Sequence, residues 1–460
     1  MNRKEKGMRS SKVTGTFSLL LPVAIAAQGL FESAGNVGND SAFGDKQPKA
    51  VVINGYAKGA FFGGRDNADK TIVSGSYAQT ALKLNAEKSG LGRTFAEVRL
   101  NAGFSRGSPI TAFDVREAWA AVSSGMFDVR LGRQIISWGR ADAINPTSTI
   151  TPKDETVLSS EFDDTRLGNE LIQAKVKIGP SSVQGIWIPY YRPDVLPIAG
   201  AKIPSGITIG DPSYPDNQFK NGGYALRLEC TLSSVDGSLS YFNGFGTLPG
   251  LDFTLSQTGL SLFPRAYRMQ AGGADFSTAI GPFGVRGEAA IKYPFDDYEE
   301  KAYVPNPYAQ YVLGLDKTMG NVSVLAQYCG FYTIHFKEIE YPVLTDPFDP
   351  IARAQFVSVM AANEIERMNR LFNGTSDKIS HSLVGNAQWN ALYETLHLKL
   401  AGMYNFTTED YAVNPSASYD IADAVSLIVG GRYIDGPEGN LNNMISNLMS
   451  FVYTDLKVSF

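Results

Sequence analysis

At 460 residues, with 41 basic and 46 acidic side chains, the chain has a net charge near −5 and no basic surplus for nucleic acid. Its 46 Gly, 26 Phe and 22 Tyr are too many for one ordinary soluble domain. After residue 27 no apolar stretch reaches the length of a membrane helix; a large β-barrel, whose alternation spreads lipid-facing surface thinly, accommodates this composition.

The chain opens on a basic leader, Arg3, Lys4, Lys6, Arg9 and Lys12, followed by an apolar run at 17–27 that closes on Ala24, Ala26 and Ala27. This pattern predicts a secretory signal at 1–27, cleaved between Ala27 and Gln28. Its removal leaves 36 basic against 45 acidic residues, a charge of −9. No Cys lies near the cleavage site, so lipid attachment there is excluded. Residues 28–49 read as a short periplasmic segment and 50–460 as the barrel. Cys230 falls on the apolar face of its strand and Cys329 on the opposite face of its own, which predicts two unpaired thiols.

From Val51 onward, alternating segments of about ten residues recur, among them 77–87, 94–104, 113–122, 127–136, 171–178, 224–232, 284–293 and 396–405. Short turns close alternate pairs at 88–92, 123–125, 179–182, 233–237, 281–282, 319–321, 392–394 and 421–423. The other connections are longer and rich in Pro, Asp and Asn: 63–75, 137–169, 191–221, 244–265, 294–306, 335–380 and 434–450, with two brief ones near Ser108 and Thr408. Eight turns and nine loops predict 18 antiparallel strands, with 16 as the alternative because segments near Leu255 and Tyr411 are weak. Short turns on one side and long loops on the other suit a transmembrane barrel with periplasmic turns and extracellular loops. A soluble β-helix or propeller would show a fixed repeat, and none is found.

Alternation also assigns faces. Glu97, Arg99 and Asn101 share one parity; so do Asp128 and Arg130, then Gln173, Lys175 and Lys177, then Arg286, Glu288 and Lys292. A polar interior and an apolar exterior imply a water-filled lumen. Lys and Arg, Arg116 included, outnumber acids on the inward parity, whereas Asp163, Asp164, Asp296, Asp297, Glu299 and Glu300 fall in loops. A basic pore preferring anions is expected; the alternative is that the charges pair across strands and leave a neutral wall.

After the fifth strand come Gly132-Arg-Gln-Ile-Ile-Ser-Trp-Gly-Arg140 and Ala143-Ile-Asn-Pro-Thr147. Over about residues 127–150 this resembles the alginate-exporter-like and carbohydrate- or phosphate-selective porins, in which a Gly-Arg-Gln…Trp-Gly…Asn-Pro stretch recurs. Elsewhere the likeness is architectural. The resemblance implies that loop 137–169 folds inward and narrows the channel, with Trp138 packed on the wall, Arg133 and Arg140 facing the passage and the Asn145-Pro146 step stiffening it. Arg133 sits on the apolar parity of its strand, so it needs a bulge or a position above the lipid band.

In loop 335–380, Asp349-Pro350 and Asn373-Gly374 bracket Phe356, Met360, Ile365, Met368 and Phe372 at helical spacing, predicting a helix of about 20 residues, as a lid or on the surface. The last ten residues alternate Val452, Thr454, Leu456, Val458 and Phe460 against Tyr453, Asp455, Lys457 and Ser459. This looks like the closing strand of an outer-membrane barrel, and the resemblance implies that Phe460 is read by the barrel assembly machinery.

The three histidines have no metal-binding spacing, and adjacent His381 and Ser382 point to opposite faces of a strand, unlike the Ser–His pair of outer-membrane phospholipases. No catalytic residue, metal or cofactor is expected. The sequence therefore reads as a porin, monomeric or homotrimeric, passing small hydrophilic, anionic or sugar-like solutes through outer-membrane lipid. The alternatives are a surface adhesin, or a fatty-acid channel, which would need an N-terminal plug.

Overall fold

The computed structural model describes residues 51–66, 68–88, 92–196, 207–256 and 259–460. The expected signal at 1–27, the segment at 28–49 and most of the turn at 88–92 lie outside these residues.

Eighteen strands build one antiparallel sheet. They are β1 (Val51–Arg65), β2 (Thr71–Lys88), β3 (Gly92–Ser105), β4 (Ser108–Ser124), β5 (Phe127–Gln134), β6 (Asn169–Ile178), β7 (Ser181–Ile188), β9 (Gly223–Thr231) and β10 (Val235–Phe245). The circuit continues through β13 (Arg268–Ile280), β14 (Phe283–Pro294), β15 (Tyr308–Met319), β16 (Val322–Thr333), β17 (Ile379–Ala391), β18 (Leu396–Asn405), β19 (Tyr411–Ala422), β20 (Val425–Asp435) and β21 (Phe451–Ser459). Pairing of β21 with β1, from Tyr56↔Ser459 to Gly64↔Phe451, closes the barrel. Gly55 and Phe460 exchange backbone hydrogen bonds of 2.9 and 3.0 Å at its end. The count of 18 holds, and the weak segment at Tyr411 is a barrel strand.

The seven expected turns that lie within the described residues join neighbouring strands at one end. Four use a glycine in the left-handed region, Gly125, Gly179, Gly281 and Gly320, with φ between 57° and 59°. Alternation places the two faces as the sequence suggests: Leu82, Leu100, Leu131, Leu226 and Leu313 are exposed outside, whereas Gln79, Arg99, Arg227 and Gln327 are buried inside. One irregularity concerns a seam: the β19–β20 ladder skips Asn414 and Pro415, whose ring nitrogen has no proton to donate.

The long-loop end carries more structure than expected. Segment 244–265, read as a loop, forms a hairpin, β11 (Gly250–Ser256) with β12 (Gly259–Arg265), and β12 pairs in parallel with β8 (Ile207–Ile209). The expected helix is α1 (Pro350–Asn373): Asp349 caps it by accepting from Ile351 N at 2.9 Å, and Gly374, φ 69°, ends it. A second helix, α2 (Leu441–Met449), was not expected. Ile365, Met368 and Phe372 of α1 share one buried cluster with Leu251 and Leu262 of the hairpin and with Leu441, Ile445 and Met449 of α2. Cys230 is exposed and Cys329 buried, both unpaired as expected.

Candidate functional site

The period of two turns Lys58, Arg99, Arg116, Arg227 and Glu288 inward, and all five are buried. A bulge in the β3–β4 ladder between Glu97 and Val98 leaves Arg116 and Glu117 on the same side and rephases β4, so that Trp119 also turns in. Arg130 lies 4.0 Å from the Trp119 ring centroid.

The segment from β5 to β6 meets this wall in two stretches. In the first, Trp138 is buried; its indole N–H donates to Gln184 Oε1 at 3.1 Å and Arg227 lies over its ring. Gly139 adopts φ 101°, and a Cβ there would fall 2.4 Å from a Glu288 carboxylate oxygen. Only glycine lets the chain pass so close. Glu288 accepts the backbone N–H groups of Arg140 at 3.1 Å, Ala141 at 3.2 Å and Thr147 at 2.7 Å, and the Thr147 hydroxyl at 2.8 Å. This is a concave backbone nest around one wall carboxylate. Arg140 Nε donates to Asp275 at 2.8 Å, Arg286 pairs with Asp142, and Ala143 N donates to Gln327 at 2.9 Å. Asn145 Oδ1 lies behind the glycine, 2.7 Å from the position of that missing Cβ, and its carbonyl accepts from Ser148 N.

The second stretch is held by charge. Asp164 receives Lys58 Nζ at 3.0 Å, Arg99 at 2.7 Å and the Ser159 hydroxyl at 2.6 Å. Burial alone would raise this carboxyl; Lys58 and Arg99 outweigh it and hold it well below the usual carboxylate range. Arg116 bonds the carboxylate and carbonyl of Asp163, Ser160 bonds Asp455, and Lys457 meets Glu161 at 2.9 Å.

Neighbouring loops brace the middle. Glu155 N donates to Val195 O at 2.9 Å, Asp194 N to Thr247 O at 2.8 Å, and Lys153 N to the Asp194 carboxylate at 2.7 Å. Burial pushes the Glu155 carboxyl up to about 8 and that of Asp194 to about 6.

Of the residues singled out in the sequence, Arg99, Arg116, Trp138, Arg140, Asn145 and Arg286 meet at this segment, and Arg130 lies below it on Trp119. Lys175 pairs with Glu229 at 2.8 Å, and Lys177 is exposed beside the turn to β7. Arg133 needs correction. It stays on the outward parity, at the last rungs of β5, paired with its register partner Glu170 and donating to Val115 O at 2.9 Å. It sits at the rim rather than in the passage, because β5 has no bulge to turn it and a carboxylate neutralises it there. The wall acceptors Glu288, Asp275 and Gln327 were not recognised as partners of the segment; the Gly139 that follows a buried Trp was the available signal.

No family model and no curated protein matches the sequence. Solved structures do match in fold. OccAB4 of Acinetobacter baumannii aligns with a TM-score of 0.52 at 10% identity, over 91% of this chain and 99% of its own. A BenF-like porin from Pseudomonas fluorescens Pf-5 gives 0.52 at 9% identity over 89% and 98%, and OccK5 (OpdH) of Pseudomonas aeruginosa 0.51 at 9% over 89% and 97%. The chain has the closed 18-strand barrel fold of these porin-type outer-membrane proteins.

Proposed function

We propose that the protein is an outer-membrane porin, a water-filled diffusion channel for small hydrophilic solutes, narrowed by residues 137–169. One observation carries the reading. Lys58 on β1 and Asp275 on β13 are bonded by the same segment, through Asp164 and Arg140, and these strands lie nine positions apart in an 18-strand circuit. A segment tied to opposite walls crosses the lumen. Such a crossing sets pore size, as fixed polar groups at a narrow point do in other channels.

For selectivity, the pairing within the wall matters as much as the inward surplus of cations. Asp163, Asp164, Asp142 and Glu161 offset Arg116, Lys58 with Arg99, Arg286 and Lys457 in turn. The reading is therefore a weak anion preference, compatible with neutral sugar-like solutes, that fades as salt screens the remaining charge. The fold relatives fit a channel better than an enzyme. The purified protein in planar bilayers should give discrete conductance steps, with a reversal potential in a KCl gradient tilted toward chloride. Folded protein that inserts without conducting would overturn the channel; a cation-selective reversal potential would overturn only the selectivity.

A further inference from the structure

Trp187, the penultimate residue of β7, is exposed on the outer face of the wall, while its neighbours Ile186 and Ile188 are buried inside. A loop residue comes down onto it from the rim. Phe219 packs on the Trp187 ring, centroids 5.6 Å apart, and is itself 80% exposed. The backbone that follows is drawn to the same spot: a Cβ on Gly222 would lie 3.2 Å from the indole nitrogen. The last residues of loop 191–221 therefore fold over the outer rim rather than into the mouth.

Two cations are held there. Arg268 opens β13 on the outward parity of exposed Phe276, whereas Met269 and Ala271 are buried inside. Its guanidinium donates to the carbonyls of Lys220 at 3.4 Å and Gly222 at 3.3 Å and to Asn243 Oδ1 at 3.2 Å, all uncharged oxygens. Arg268 is thereby fixed beside Lys220, whose exposed ammonium has no acceptor among the described residues. Asp296 accepts the Arg268 backbone N–H at 3.3 Å but pairs its charge with Lys301 at 3.2 Å. The Trp187 indole N–H also has no acceptor among the described residues. Exposed Tyr224 and Tyr241 on the adjoining strands mark this level as the lipid boundary.

The patch thus offers positive charge and N–H donors, without an ion-paired carboxylate, on the lipid side of the wall. A guanidinium fork matches phosphate oxygens, and an ammonium adds a point charge. Together they balance a phosphate monoester, with a charge of about −2 near pH 7, better than a singly charged diester. We propose that Arg268, Lys220 and Trp187 bind a lipid whose headgroup carries a phosphate monoester, with Phe219 set among its acyl chains. This rests on the outer-membrane reading, which puts the long-loop end in the outer leaflet.

The test titrates the full chain in mild detergent with diphosphorylated lipid A and reads the bound fraction by native mass spectrometry. A Lys or Arg beside an anionic headgroup is worth about a fivefold factor in affinity. Lys220→Ala should therefore weaken binding about fivefold, and Lys220→Ala with Arg268→Gln about 25-fold. Dephosphorylated lipid A should bind the wild type about as weakly as the diphosphorylated lipid binds the double variant. The Lys220 ammonium has no acceptor among the described residues, so Lys220→Ala should keep the fold and the single-channel conductance. Binding unchanged in Lys220→Ala, or equal for the dephosphorylated lipid, overturns the site. So does phosphatidylglycerol or inorganic phosphate binding as tightly as lipid A. Absence of conductance would strike the channel reading and leave these ratios standing. The orientation is checked separately: Lys220→Cys, in a Cys230→Ser, Cys329→Ser background, should react with a membrane-impermeant maleimide on whole cells, and no reaction overturns the outer-leaflet placement.

Discussion

The two stretches of the crossing segment are held by different chemistry. Residues 138–147 present backbone N–H groups to a single wall carboxylate, so this anchor depends on how the chain turns at Gly139. Residues 158–166 present carboxylates to wall cations, so this anchor depends on side-chain charge and hardly on backbone shape. The first should tolerate changes of salt but not of geometry; the second should respond to charge replacement at once. A segment fixed at both ends in these two ways can hold a narrow opening without a rigid fold of its own.

Cutting out the whole bridge is the most drastic way to break the comparison. Deletion of residues 141–161 should raise single-channel conductance several-fold and admit larger sugars in a liposome-swelling assay. Unchanged conductance would move the constriction to the loop that bears α1. Asp164→Asn attacks only the charged anchor. It leaves Lys58 and Arg99 buried without their shared carboxylate, a loss of about 3 to 5 kcal/mol for a broken buried pair. Limited proteolysis should then cut within 155–166 while 138–147 stays protected. Glu288→Gln attacks the backbone anchor. An amide opposing three N–H donors leaves buried groups mismatched at about 1 to 3 kcal/mol. Cleavage should shift to 138–147, with ion selectivity little altered.

The brace between loops gives a pH test. The Glu155 carboxyl is raised from 4.5 to about 8, so the folded protein holds a proton that the unfolded chain has released. The contribution to stability is full below about pH 4.5 and declines as pH rises to about 8, because ionisation of a buried acid opposes the fold. Protection of residues 153–157 from protease should fall as pH rises from about 4.5 to about 8, and Glu155→Gln should flatten that dependence. A fall equally steep in the variant would assign the effect elsewhere. The smallest expected effect is that of Arg140→Glu, which faces Asp275 with a like charge: the reversal potential should move toward cations by a few millivolts at low salt, and little in 1 M KCl, where screening shortens to about 3 Å.

Most of the wall was legible in the sequence because a single parity rule governs it. Leu82 or Leu100 outside and Gln79 or Arg99 inside follow from one choice of phase, and the turns fix the phase of each hairpin. Where a bulge intervenes the rule fails silently: Trp119 lies inside only because the β3–β4 ladder shifts by one residue at Glu97. The site was half legible. Trp138, Arg140 and Asn145 stand out as unusual company in a loop, but Gln184 and Asp275, the partners of Trp138 and Arg140, lie 46 and 135 positions away and only closure of the barrel brings them near. For Arg133 the resemblance misled and parity did not: parity put it outward, in need of a bulge or a position above the lipid band, and it stays outward at the last rungs of a β5 without a bulge. Helix α2 escaped because its nine residues carry no side-chain cap, and its apolar positions, Leu441, Ile445 and Met449, suit a loop core equally well.

The two rungs missing between β19 and β20 carry a kinetic consequence. The final hairpin, β20 with β21, is zipped without interruption to β1 on one side but crosses a gap at Asn414 and Pro415 on the other. The Asn414 side-chain oxygen is buried there without a hydrogen-bond partner. A ladder opens locally where rungs are missing, so amide protons flanking Asn414 and Pro415 should exchange ahead of those along the unbroken β21–β1 ladder.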